Sequence, residues 1–345
     1  MIIEASHTPD ASELRDFLLK FSNSLFYSEP RYLSLLQSHL DCEISWLTAR
    51  EDGAITGVLP FAVKRAKRGS IYNSLPYYGS NGGVVCKSSE HQCKRALINA
   101  FYRVAEENGA LSATLITNPL FEDAEFYKAS IDATHIDNRI GQITPLPSND
   151  DEANLMGMFS DPRPRNIRRA LKEEITIEKG RKEMLAFLYD THVANMRAIG
   201  GKSKEKSFFD EIDNHMKADD WSVFTAFHNG RPVAALLLFY FNKTVEYFTP
   251  VTVHEYRNMQ PMALIVFEAM RDAINRGMIN WNWGGTWLSQ TGVYDFKKKW
   301  GARDYPYEYF VKVFNDKVYD FSSTQLASDY YGFYSIPYKY LKNEG

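Results

Sequence analysis

A chain of 345 residues is too long for one ordinary compact domain and suits two of roughly 150–190 residues each. A net charge of −3 excludes a general nucleic-acid coat, which carries a clear basic excess. The balance of 44% hydrophobic to 24% charged residues is that of a globular protein, and no apolar run approaches the roughly 20 residues that cross a bilayer.

The opening lacks a basic segment followed by an apolar one, so no leader peptide is expected. Asp10 to Phe21 reads as a helix opened by a capping residue, and Arg31 to His39 as a second helix. Ser45 to Arg65 reads as two strands joined by Asp52-Gly53, a strong hairpin signal. A third strand and a glycine-rich loop follow over Ser74 to Val85. An amphipathic helix then runs from Glu90 to Glu107, with Ala96, Leu97, Ala100, Phe101 and Val104 on one face, and stops at Asn108-Gly109. Ala110 to Thr117 is the next strand.

The polar, proline-containing stretch Pro145 to Asp151 marks a boundary, giving lobes over 1–147 and 148–345. Beyond it, Asp151 to Lys172, Lys182 to Ile199 and Phe208 to Met216 read as helices. Trp221 to Phe241 is strand, Asn229-Gly230 turn, strand, and Lys243 to Val251 is a third strand. A loop over Tyr256 to Gln260 leads into a helix opened by Pro261, which stops at Arg276-Gly277. Met278 to Gly285 is a strand, and the segment from Tyr307 on is a last strand followed by short aromatic helices. The turn glycines Gly53 and Gly230 lie 177 residues apart, and the helix-stop glycines Gly109 and Gly277 lie 168 apart. Two α+β units of one plan explain both spacings.

The three cysteines, Cys42, Cys86 and Cys93, form no CxxC pair and have no histidine at ligand spacing. They read as reduced cytosolic thiols, and no metal site is expected. No nucleophile elbow or phosphate-binding lysine loop is present. Chemistry is concentrated near the end of the second repeat. Gly284-Gly285 permits a tight turn at a strand end. Phe296 and Trp300 are four apart and share a helical face, a wall for substrate, while Lys297 points elsewhere. A lysine there can neutralise a phosphate or the oxyanion of a tetrahedral intermediate. Arg165, Arg168 and Arg169 lie on one stretch of helix, where guanidinium forks suit a diphosphate on a nucleotide or lipid carrier; the latter would bring the chain to a membrane surface. Arg31, Tyr32, Tyr77 and Tyr78 are candidate groove residues of the first lobe. Asp295, Glu246 and Tyr247 are candidate bases for deprotonating an amine.

Five segments in order resemble the FemAB-like (CelD/BioF2-like) acetyltransferases of the GNAT superfamily. They are Leu25 to Tyr32, Gly57-Val58-Leu59-Pro60-Phe61, Ser74-Leu75-Pro76-Tyr77 with Gly79 and Gly82-Gly83, Arg165 to Ala170, and Gly284-Gly285 followed by Gly292 to Ala302. The resemblance implies tandem GNAT-like domains, each a mixed, mostly antiparallel sheet flanked by helices. It implies transfer of an acyl or aminoacyl group to an amine of an amino sugar or peptide in an envelope precursor, with Lys297 in the active centre. An ordinary GNAT domain holds the coenzyme A pyrophosphate on a glycine-rich loop; the matching stretch here, Arg257 to Ala263, lacks both central glycines. Asn258, Gln260 and Gly285 are the candidate donor contacts. The donor is then an acyl-CoA held atypically or an aminoacyl-tRNA. The span Lys182 to Lys217 is too short for the helical arm of the tRNA-using members. A non-catalytic glycan- or peptide-binding module is the third alternative.

Overall fold

The structure is a computed structural model that describes residues 1–77, 82–87, 89–287 and 290–342. Tyr78 and Gly79, named above, lie outside the described residues. The first half of the chain runs β1 (Ile2–Ser6), α1 (Ala11–Leu18), α2 (Pro30–Leu40), β2 (Glu43–Glu51), β3 (Ala54–Ala66), β4 (Gly69–Asn73), β5 (Val85–Cys86), α3 (His91–Glu107), β6 (Ser112–Ile116), α4 (Ala124–Ser130) and β7 (His135–Pro145). The second half runs α5 (Glu152–Gly157), α6 (Arg163–Lys172), β8 (Thr176–Gly180), α7 (Lys182–Ala198), α8 (Lys206–His215), β9 (Trp221–His228), β10 (Arg231–Phe241), β11 (Thr244–Thr252), α9 (Pro261–Asn275), β12 (Asn280–Thr286), α10 (Thr291–Lys298), β13 (Arg303–Val313) and α11 (Ser323–Asp329).

Local chemistry accounts for these elements. Asp10 Oδ1 accepts the Ser12 and Glu13 amides at 2.8 and 3.2 Å and so starts α1. Both expected hairpins form, with Asp52 and Gly53 at φ 51° and 80° and Asn229 and Gly230 at φ 49° and 72°. Two left-handed residues in a row match the twist of the flanking strands. The expected helix over Asp151 to Lys172 is broken into α5 and α6, because Pro162 and Pro164 cannot continue a helix from behind.

The chain divides into two compact units, Met1–Arg139 with Pro306–Gly345, and Ile140–Tyr305. The boundary expected at 147/148 therefore differs from the observed division: the segment from Pro306 on returns to the first unit. The reason is strand pairing. In unit 1 the order is β1-β2-β3-β4-β6-β13, with β5 beside β3. There β13 pairs antiparallel with β6, Tyr309 to Val313 against Ser112 to Ile116. In unit 2 the order is β7-β12-β11-β10-β9-β8, where β7 is antiparallel to β12. Each repeat thus sends its last strand to the sheet of the other.

In unit 1, α3 packs Leu97, Ile98 and Phe101 onto Leu59, Phe61 and Leu115, all fully or nearly fully buried. In unit 2, α9 and α6 bury Leu264, Phe267, Ile167 and Ala170 against Leu236, Leu238 and Trp281. On the other face of that sheet Phe208 of α8 stacks on Phe248 at 5.4 Å. Apolar area on this scale dominates folding at roughly 25 cal/mol per Å². Among the described residues no helix is long and apolar enough to cross a membrane.

Candidate active site

In unit 2, β11 and β12 run parallel and pair only over Thr244 to Glu246 against Asn280 to Asn282. Then they part. Two irregularities force the separation. β11 shifts register against β10 at Leu237/Leu238, leaving Phe248 as an extra residue. β12 shifts against β7 between Asn282 and Gly285, so Trp283 and Gly284 together face Gln142. Bulges of this kind bend a strand and re-aim its side chains. Gly284 carries φ 74°, which a side chain resists, and its amide donates to Asn282 Oδ1 at 2.9 Å.

Lys297 holds this bend from inside. Its ammonium donates to the Gly284 carbonyl at 3.2 Å, the Gly285 carbonyl at 3.1 Å and Thr286 Oγ1 at 2.8 Å. The Thr286 hydroxyl donates onward to Gln142 Oε1 at 2.8 Å, and Gln142 Nε2 donates to the Tyr294 carbonyl at 3.2 Å. Lys297 is only 6% exposed, and burial alone lowers its pKa to about 8. All three of its N–H donors are engaged, so in this arrangement it fixes the strand end and points no free donor outward.

Where the strands part lies a cavity of about 350 Å³. Tyr247, Pro250 and Thr252 of β11 form one side, Gln260, Pro261 and Met262 the helix-side wall, and Phe296, Asn195 and Arg257 the rest. The α9 helix begins there without a side-chain cap, and Pro261 stands at its first position. An uncapped helix start with its dipole favours an anion. Gln260 sits at φ 62°, the left-handed conformation that a glycine would adopt freely. Asn195 closes the outer end of β11, its Nδ2 donating to the Thr252 carbonyl at 2.9 Å and its Oδ1 accepting the Thr252 amide at 3.1 Å. Among the described lining residues Arg257 carries the only charge.

Behind the cavity is an aromatic wall. Tyr247 lies 4.8 Å from Trp283, and Trp283 lies 5.9 Å from Phe296 and 6.0 Å from Trp300. The guanidinium of Arg163 stands 4.4 Å over Phe296 and 5.4 Å over Trp300. Burial pushes the Tyr247 phenol above its usual range, partly offset by the Arg163 charge. Tyr247 therefore keeps its proton at neutral pH.

Residues 163–298 match the acetyltransferase (GNAT) domain family. The fold is similar to the crystal structure of FemX at 14% identity and TM-score 0.72, covering 88% of this chain and 96% of that one. Residues 163–298 thus carry a GNAT acetyltransferase domain, within a chain whose fold is like that of FemX. Its fold is also similar to a tandem GNAT protein from the clavulanic acid biosynthesis pathway (10% identity, TM-score 0.56, 91% and 99% covered). L-PGS from Bacillus licheniformis is a further fold relative (13%, TM-score 0.53, 89% and 93% covered). No curated protein sequence matches the chain. At these identities the structural likeness is one of fold.

Of the residues singled out in the sequence, Tyr247, Gln260 and Phe296 meet in the cavity of unit 2, within the GNAT-matching segment. Lys297 and Gly285 meet in the bend beside it. Trp300 is 1% exposed and belongs to the core, where it meets Phe159 at 4.9 Å. Asp295 and Asn258 are exposed and do not line the cavity. Arg165 and Arg168 are exposed on α6, since the helix turns Ile167 and Ala170 inward. Arg31, Tyr32 and Tyr77 belong to unit 1. Tyr32 is fully buried at 4.3 Å from Phe26. The Arg31 and Tyr32 amides donate to Glu29, which caps α2. Tyr77 packs against His39 at 5.0 Å. Glu246 is buried on the last rung before the strands part, opposite Asn282. Arg163, Asn195 and Arg257 went unremarked as site residues. A proline-flanked arginine two residues before a noticed one was the available signal for Arg163; nothing local marks Asn195.

Proposed function

We propose that unit 2 is the transfer site of an N-acyltransferase that moves an acyl group from a coenzyme A thioester to an amine. The acceptor would be an amino sugar or peptide of a cell-envelope precursor. The observation that carries the reading is the parting of β11 and β12 over a cavity walled by an uncapped helix start and Arg257, with no carboxylate among its described lining residues. Such a surface fits a donor bearing phosphates, whose charge the helix start and Arg257 would meet.

Direct transfer then needs three things. The amine must lose a proton, the acyl carbonyl must be polarised, and the two must be held together; positioning of that kind supplies about 7–11 kcal/mol. Glu246 is the nearest carboxylate in chain and register to the separation and would take the amine proton, directly or through water. Tyr247, kept protonated, would donate to the carbonyl oxygen or the departing sulfur. The nitrogen–carbon bond forms as the carbon–sulfur bond breaks, and the thiol leaves with a proton. Lys297 would act through the Gly284–Thr286 backbone that it holds, as a positioning residue.

The test is transfer by purified protein from acetyl-CoA and longer acyl-CoAs to amino sugars, nucleotide-linked amino sugars and peptide amines, followed by mass spectrometry. Product is expected with at least one pair, and Tyr247→Phe should slow it about a hundredfold without lowering the melting temperature. If no thioester gives product or raises the melting temperature while charged tRNA supports turnover, the donor assignment is wrong. If neither acts and a glycan alone stabilises the protein, unit 2 is a binding module.

A further inference from the structure

Arg163 is the first residue of α6, and its guanidinium carbon stands 4.4 Å over the ring of Phe296, a cavity wall residue, and 5.4 Å over Trp300. Among the described residues its buried Nε has no hydrogen-bond partner, and no carboxylate is paired with it. Its pKa is lowered by burial, and the Tyr247 phenol beside it offsets part of that effect. A half-buried guanidinium is ordinarily matched by a carboxylate, because leaving a charge unpaired away from water is costly. Arginines elsewhere in this molecule follow that rule. Arg271 is paired to Asp150 at 3.0 Å, and Arg139 to Asp137. Among the described residues lining the cavity with Phe296 and Tyr247 there is no acid.

We infer that Arg163 receives a carboxylate carried by one of the two substrates, on the aromatic wall of the unit 2 cleft between Phe296 and Tyr247. This rests on the acyl-transfer reading of that cleft. Held over Phe296 with its Nε unpartnered, the guanidinium offers the fork of N–H donors that a planar carboxylate matches in a two-point hydrogen bond and an ammonium or hydroxyl does not. A phosphate-bearing donor would meet Arg257 and the helix start at the other wall, so Arg163 addresses a second anionic group. That group sits either on the distal end of the acyl chain, as in a dicarboxylic monothioester, or on the amine acceptor, as in an amino acid or peptide.

Two matched pairs separate the sources. Dissociation constants are measured for succinyl-CoA against butyryl-CoA, and for a free amino acid or peptide against its C-terminal amide. Wild-type protein should prefer the carboxylate member of one pair by roughly tenfold or more. Arg163→Met should level that pair while leaving the neutral member within about twofold, and Arg163→Lys should keep part of the preference. Guanidinium ion added to Arg163→Met should restore some of it. If Arg163→Met weakens charged and neutral ligands alike, the residue only supports the wall and the inference is wrong. No preference in the wild type, whether both members bind equally or neither binds, overturns it as well. A preference that depends on Arg163 with no transfer from any donor would instead remove the acyl-transfer reading and leave the carboxylate site standing.

Discussion

The two units share a plan and differ at the place where the plan would make a cleft. In unit 2 the parallel strands β11 and β12 pair over three residues and separate, and a cavity follows. In unit 1 their counterparts β4 and β6 also pair over three residues, Ile71 to Asn73 against Ser112 to Thr114. There the chain closes the gap itself. The Ser74 amide donates to the Thr114 carbonyl at 2.9 Å, the Ile116 amide to Ser74 Oγ at 2.9 Å, and the Gly82 amide to the Ile116 carbonyl at 3.1 Å. A strand edge left open is a place for a ligand; one stitched by its own backbone is structure. The difference teaches that one plan of strands leaves an open edge in unit 2 and, among the described residues, a stitched one in unit 1.

The comparison breaks first, and hardest, at Trp300. Truncating this buried ring under the unit 2 cleft, Trp300→Ala, should cost about 3–5 kcal/mol in denaturant unfolding. A loss below about 1 kcal/mol would mean that the wall behind the site is not packed as described.

The pH dependence of stability sharpens the role of Lys297. Its folded pKa of about 8 lies below the 10.5 of an exposed lysine, so between those values the unfolded chain binds more protons. Stability should therefore rise with pH above about 8, by about 3 kcal/mol for the full shift. Lys204, also lowered to about 8 by burial, adds a slope of the same sign. Lys297→Met should remove only its own share. A slope identical to the wild type, measured below the tyrosine range at about 10, would place that ammonium in water.

The stitch in unit 1 can be strained. A Cβ at Gly82 would come within 2.6 Å of Leu75 Cβ and 2.9 Å of Ser74 Oγ. Gly82→Ala should destabilise by about 1–3 kcal/mol yet leave donor affinity unchanged. A fall in affinity for acyl-CoA would move the site toward unit 1.

At the open cleft, Arg257→Ala should weaken acyl-CoA binding about tenfold, with a shallower dependence on salt. An unchanged dissociation constant would remove Arg257 from the donor site. The smallest effect belongs to Gln260→Gly, which relieves the left-handed backbone and should stabilise by about 0.5 kcal/mol, read as a small rise in melting temperature. A clear fall would show that the Gln260 side chain contributes more than its backbone costs.

Much of this architecture was legible because its signals are local. Asp52-Gly53 and Asn229-Gly230 mark turns through their own φ preferences, and Asp10 caps the helix that it precedes. The spacing of Gly109 and Gly277 exposes the repeat. β7 and β8 went unnoticed, since short, half-polar strands with burial alternating unevenly carry weak periodic signals. Of the candidate residues that the sequence offers, Tyr247, Gln260 and Phe296 line the unit 2 cavity and Lys297 lies in the bend beside it. Arg165 and Arg168 were chosen over Arg163 because charge alone does not tell which face of a helix turns inward.

The amino-acid sequence by itself determined two units of one plan, their hairpins, their long helices and the glycine pair at the strand end, because turn, cap and period act over a few residues. Only the tertiary structure decided that each repeat lends its last strand to the other sheet, that the ammonium of Lys297 is spent on the Gly284 and Gly285 carbonyls and the Thr286 hydroxyl, and that Arg163 stands over Phe296 with no acid paired to it among the described residues. Strand partners and unpaired charges are set by which distant backbones meet. A pattern of neighbours along the chain does not carry that information.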